Sequence, residues 1–186
     1  MSGAAESGSI PDSAARPAAV LVGPPGAGKS TVGPLLAGLL RTGFLDTDDE
    51  VEAIARKPAG DIFVEDGEQA FRALEWPVVQ RALGYPGVVA LGSGAVLDRG
   101  VQRLLAGQQV VYLETGFSEV AKRVGMNRPR VVVPGNPRGM LRAMLEERLP
   151  VYREVARVTV RTDDLSPEEV TDQIAAAQIA AGESSQ

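Results

Sequence analysis

The most constraining feature of this chain is a junction. Ala19-Val20-Leu21-Val22, apolar throughout, runs straight into Gly23-Pro24-Pro25-Gly26-Ala27-Gly28-Lys29-Ser30. An apolar run without polar alternation predicts a parallel strand buried on both faces. The segment after it satisfies G-x-x-x-x-G-K-[ST] at every position, and Thr31 follows. Glycines let such a loop wrap closely enough for successive backbone N–H groups to aim at phosphate oxygens. A helix predicted from Lys29 to about Leu40 adds its positive N-terminal end. Gly26, Ala27, Gly28, Lys29, Ser30 and Thr31 are therefore the expected nucleotide contacts. Lys29 is placed on the β- and γ-phosphates and the Ser30 hydroxyl on Mg²⁺. A glycine-rich turn with a solvated lysine is the plain alternative, and the strand–loop–helix context weighs against it.

Further apolar runs predict four more strands, at Gly43 to Asp46, Val88 to Leu91, Val110 to Leu113 and Val158 to Val160. Helical spacing lies between them. The first helix is expected to bury Leu35, Leu36, Leu39 and Leu40, and the stretch Asp48 to Arg56 to bury Val51 and Ile54. Asp61 to Leu83 reads as helix interrupted at Asp66-Gly67, with Asp61 as a cap. Further helices are expected at Phe117 to Val124 and Met140 to Val155. Pro77 and Pro150 lack an N–H for the ladder and predict a kink or break. Ser166-Pro167-Glu168-Glu169 is a capping box opening the last helix. Strands alternating with helices predict a three-layer α/β/α fold with a five-stranded parallel sheet. Ligands in such sheets bind outside the carboxyl ends of the strands, where Gly23, Asp46, Gly92 and Glu114 all fall.

At 186 residues the chain suits one domain, expected over 17–180. The Gly/Ser/Ala-rich segment 1–16 reads as a disordered extension and 181–186 as a frayed tail. Absence of cysteine excludes thiolate zinc sites, and absence of histidine removes imidazole bases and Ser-His-Asp hydrolysis. A net charge of −5 argues against nucleic-acid binding. With no membrane-length apolar run and no signal peptide, the cytoplasm is the expected address and a monomer the expected state. No guanine-reading N-K-x-D is present, which leaves small-molecule kinases as the P-loop class of fitting size.

Beyond the loop, Leu45-Asp46-Thr47-Asp48, Asp61-Ile62-Phe63, Gly67-Glu68, Phe71-Arg72-x-x-Glu75, Leu91-Gly92-Ser93-Gly94-Ala95-Val96 and Arg148-x-Pro150-x-Tyr152 resemble, in order, the motifs of shikimate kinases. The resemblance covers about Val20 to Val170. It implies a P-loop kinase fold with a mobile lid, near 125–139, and ATP-dependent phosphorylation of shikimate, a carboxylated triol, with Mg²⁺. It assigns Arg72 and Arg148 to the acceptor carboxylate, Asp48 to the acceptor hydroxyls with a base role, and Asp46 to Mg²⁺. Gly92, Ser93 and Gly94 fall at the acceptor, and Arg123 at the adenine. Each has a plain alternative. Asp46 and Asp48 are natural helix caps, Arg72 and Glu75 a surface i,i+3 pair, and Arg148 part of a solvated helix face.

Two departures stand out. Ser93 replaces the middle of three glycines usual in the family, which raises the question of strain if that position needs positive φ. The lid arginine is Arg128, by its following proline, or Arg130, by ungapped counting. Kinases of related hydroxy acids (aminoshikimate, gluconate) and a non-catalytic nucleotide-binding regulator are the rival readings.

Overall fold

The computed structural model describes residues 16–125 and 136–183. Five parallel strands form one sheet in the order β2-β3-β1-β4-β5. They are β1 (Ala19–Val22), β2 (Phe44–Asp46), β3 (Val88–Ala90), β4 (Val110–Glu114) and β5 (Val158–Arg161). β1 is central, and all four of its residues are buried, as its unbroken apolar run requires. The edge strand β5 shows only Val160 fully buried.

Helices cover both faces. α1 (Lys29–Leu39) and α8 (Pro167–Glu183) pack on Leu21, Val88 and Leu113, while α4 (Glu68–Ala82), α5 (Arg99–Leu105) and α7 (Pro137–Val155) pack on Val20, Val89 and Tyr112. α2 (Thr47–Ala55), α3 (Ala59–Asp61) and a π-helical turn (Ile62–Asp66) stack against α4 beyond β2, sharing Val51, Ile62, Phe71 and Val78. α6 (Phe117–Arg123) follows β4. The three-layer α/β/α architecture is as the strand–helix alternation predicts.

Several local expectations are corrected. Leu36 is buried as expected, but Leu35, Leu39 and Leu40 are exposed; Val32, Gly33 and Ala37 complete the buried face of α1. The small residues set the phase, since a Cβ on Gly33 would fall 2.7 Å from ring carbons of Phe44. Ile54 is exposed where α2 ends, while Val51 is buried as expected. Asp61 caps nothing; it is itself helical, and Pro58 precedes α3. Neither Pro77 nor Pro150 breaks its helix. Both prolines, and the residues four before them (Ala73 and Glu146), lie on exposed faces, where a carbonyl freed by proline is open to hydration. The capping box at Ser166 and Glu169 forms in both directions, at 2.8 and 3.2 Å.

The expected lid lies mostly outside the described residues, and Arg128 and Arg130 with it, as does nearly all of the expected N-terminal extension. Among the described residues no helix is long and apolar enough to cross a membrane.

Candidate active site

The phosphate loop follows β1 as its motif requires. Gly26 and Gly28 take left-handed backbone angles, φ 73° and 99°, which a side chain would strain. Gly28 is also the N-cap of α1, so the loop feeds directly into the helix N-terminus. Lys29 is only 9% exposed, and its Nζ donates to the carbonyls of Gly23 (2.9 Å) and Pro24 (3.2 Å). Burial lowers its pKa to about 8, opposed by the charges of Asp48 and Asp46.

The loop opens on a cleft of about 500 Å³ whose far wall is Arg123, Thr162, Leu165, Pro167 and Val170. Arg123, the expected adenine-side arginine, lies at this cleft. Its guanidinium is fixed by donating to the carbonyls of Gly26 and Thr162, each at 3.1 Å, and to Glu119 at 3.0 Å. One side chain thereby ties the phosphate loop to the loop after β5.

At the carboxyl end of β2, Asp46 is 7% exposed and serves two partners. One oxygen accepts from the Ser30 hydroxyl at 2.7 Å, and the other from the Asp48 N–H at 3.0 Å, capping α2. The capping role and the expected metal-side role thus fall on one carboxylate. Ser30 Oγ and Asp46 Oδ2 are hard oxygen donors that fit a cation taking the rest of its shell from phosphate and water. Among the described residues no cluster of three acidic groups is available to hold a metal by protein ligands alone.

Beside the phosphate loop lies a second cavity, of about 250 Å³. Asp48, Arg72, Ser93, Gly94 and Arg148 all line it, together with Pro25 from the phosphate loop itself. Five of the six sequence-predicted acceptor residues, drawn from α2, α4, the loop after β3 and α7, therefore converge on one space, while Gly92 is not among its lining residues. The Asp48 carboxyl is pushed up to about 6, first by burial and then by Asp46, with Lys29 pulling it down. Burial also raises the Glu75 carboxyl, against the pull of Arg72.

Arg72 and Glu75 are not the surface pair of the plain alternative. Glu75 is 4% exposed, and its Oε2 accepts from Arg72 Nη1 at 2.5 Å. Phe63 and Phe71 stack at 4.4 Å beside Arg72, whose guanidinium lies 5.9 and 5.6 Å from the two ring centres. Gly92 makes room for the carboxylates: a Cβ there would lie 2.6 Å from Asp48 Oδ1 and 2.8 Å from Glu75 Oε1. The Gly92 N–H donates to buried Thr47 Oγ1 at 2.9 Å, fixing the loop.

Sequence reasoning left Tyr152, Phe63 and Met144 without roles. Phe63 and Met144 line the arginine-bearing cavity, and the Tyr152 hydroxyl donates to the Ser93 carbonyl at 2.5 Å. The spacing held the signal for Tyr152, which stands four residues after Arg148 and so on the same helix face.

The model of the shikimate kinase family matches residues 25–178. A shikimate kinase of Thermobifida fusca is 54% identical over 169 residues, spanning 90% of this chain and 98% of its own length. One of Saccharopolyspora erythraea is 49% identical over 160 residues, spanning 85% of this chain and 91% of its own. The structure of a shikimate kinase from Acinetobacter baumannii in complex with shikimate superposes with a TM-score of 0.81 at 35% identity, covering 90% of this chain and 94% of that one. With the phosphate loop, the Asp46–Ser30 pair and the arginine-lined cavity in place, the chain belongs to the shikimate kinase family.

Proposed function

We propose that this protein transfers the γ-phosphoryl group of ATP to a hydroxyl of shikimate, giving shikimate 3-phosphate and ADP. The observation that carries the reading is the position of Asp48. It lines the arginine-bearing cavity and is also electrostatically coupled to Lys29 of the phosphate loop. A bound acceptor would present its hydroxyl where donor and acceptor spaces meet.

The residues divide the work as follows. Gly26 to Thr31 cradle the phosphates, and Lys29 neutralises charge on the β- and γ-groups. Arg72 and Arg148 bind the acceptor carboxylate, for which guanidinium is the suited partner. Asp48 accepts a hydrogen bond from the attacking hydroxyl. As the O–P bond forms and the bond from the γ-phosphorus to ADP breaks, that proton passes to Asp48. A carboxyl raised to about 6 is ionised at neutral pH yet basic enough to take it. Phosphoryl transfer depends mostly on positioning and charge stabilisation, so the cradle carries the larger share.

Ser30 and Asp46 would hold Mg²⁺, which would supply positive charge to the phosphates. Arg123, with Gly26 and Thr162, frames the adenine side. Arg128, with Arg130 as alternative, is assigned to the lid over the transferred group, where closure excludes water. A monomer acting in the cytoplasm completes the proposal.

The test is a coupled ADP-release assay with shikimate, aminoshikimate, gluconate or no acceptor. Shikimate is expected to give the highest kcat/KM. Turnover with shikimate no faster than without acceptor would overturn the proposal.

A further inference from the structure

Ser93 is the residue that departs from the family's glycine pattern, and its backbone is unstrained. Among the described residues only Arg41 and Arg56 are non-glycine positions with positive φ. A side chain at Ser93 is therefore free to act. Its Oγ accepts from Nη1 of Arg148 at 3.1 Å, and its carbonyl accepts from the Tyr152 hydroxyl at 2.5 Å. Arg148 and Tyr152 lie one turn apart on α7, so a single helix face grips Ser93 at two atoms. The Tyr152 end is rigid: the ring is fully buried and stacks on Tyr112, with centres 5.2 Å apart. At the other end the Arg148 Nε is buried with no hydrogen-bond partner among the described residues, and the serine hydroxyl holds the forked tip.

We infer that Ser93 is a positioning residue for acceptor recognition. Its hydroxyl orients the Arg148 guanidinium toward the carboxylate of the acceptor, a contact that glycine at this position does not make. The inference rests on the proposed function. Two-point guanidinium–carboxylate recognition depends on the orientation of the planar fork. An arginine held before substrate arrives has less rotamer freedom to lose on binding. The effect belongs to acceptor binding, because Ser93 touches neither the phosphate loop nor Asp46 in its hydrogen bonds.

The experiment is steady-state kinetics on Ser93→Gly, Ser93→Ala and Ser93→Thr, each also combined with Arg148→Lys. Loss of one hydrogen bond to a charged group predicts a KM for shikimate raised about tenfold in the Gly and Ala variants. The kcat and the KM for ATP stay within about twofold, and Thr, which keeps the hydroxyl, restores the KM. In the Arg148→Lys background the serine substitutions add less than about twofold, because their effect runs through that guanidinium. An unchanged shikimate KM in both Gly and Ala variants, or full additivity with Arg148→Lys, would overturn the inference. The parent protein measured alongside separates the two claims. If it turns over shikimate while Ser93→Gly behaves identically, only the role of Ser93 fails; if it does not, the proposed function fails.

Discussion

Replacing Asp48 by Asn should make the protein more stable at neutral pH while abolishing most of its activity. Burial and the neighbouring Asp46 lift the Asp48 pKa from 3.8 to about 6. The folded chain therefore holds this proton more tightly than the unfolded chain does. Stability contributed by the group is greatest where Asp48 is protonated, and it falls as pH rises from about 4 through about 6. Two pK units correspond to about 3 kcal/mol of folding free energy lost by pH 8, and about half of that accrues between pH 5 and 8. Asn is nearly isosteric and uncharged, so the variant escapes this loss. Urea denaturation of both proteins at pH 5 and pH 8 should show the variant's advantage growing by about 1.5 kcal/mol over that interval. In the same preparation kcat should fall about a hundredfold or more, and the acidic limb near pH 6 in kcat/KM should disappear. A variant that is less stable at pH 8 by an amount independent of pH would refute the electrostatic account. Unchanged turnover would remove Asp48 from the chemistry.

Further outcomes follow from other residues of the site. The Lys29 ammonium, held at about 8 in the free protein, should lose its proton as pH rises, so ATP affinity measured by calorimetry should weaken between pH 7 and 9.5 with an inflection near 8; a flat profile would contradict this. Asp46→Asn keeps an acceptor for the Asp48 N–H but loses the charge beside Ser30, so the Mg²⁺ concentration for half-maximal turnover should rise about tenfold with little loss of stability. Tyr152→Phe keeps the stack on Tyr112 but strands the Ser93 carbonyl. Urea denaturation should report a loss of about 1–2 kcal/mol, and no loss would show that water satisfies the carbonyl.

The sheet and the phosphate loop were legible because local sequence carries their physics. A strand buried on both faces reads as an unbroken apolar run, and the loop's glycines are demanded by left-handed angles at Gly26 and Gly28. Helix phase was less legible. The paired leucines of α1 suit more than one face, and close approach to Phe44 through Gly33 decides between them, a tertiary fact. That α4 and α7 run on through Pro77 and Pro150 was illegible for a related reason: the cost of a proline depends on whether the freed carbonyl faces water.

The candidate acceptor site was legible only as a set. Arg72, Asp48, Ser93 and Arg148 are scattered through the chain, and the resemblance placed them in one cavity where spacing alone left surface roles open. What neither spacing nor resemblance supplied was the burial of Glu75 beneath Arg72, or the grip of α7 on Ser93. Both depend on how α4 and α7 dock on the sheet.

The central claim, that the arginine-lined cavity delivers a shikimate hydroxyl to the γ-phosphate, is tested most directly by identifying the product. ³¹P NMR of the protein with ATP, Mg²⁺ and excess shikimate should show one phosphate-monoester resonance growing in step with ADP, coupled to the proton at the 3-position of the ring. ADP accompanied only by inorganic phosphate, or no ADP at all, would contradict it.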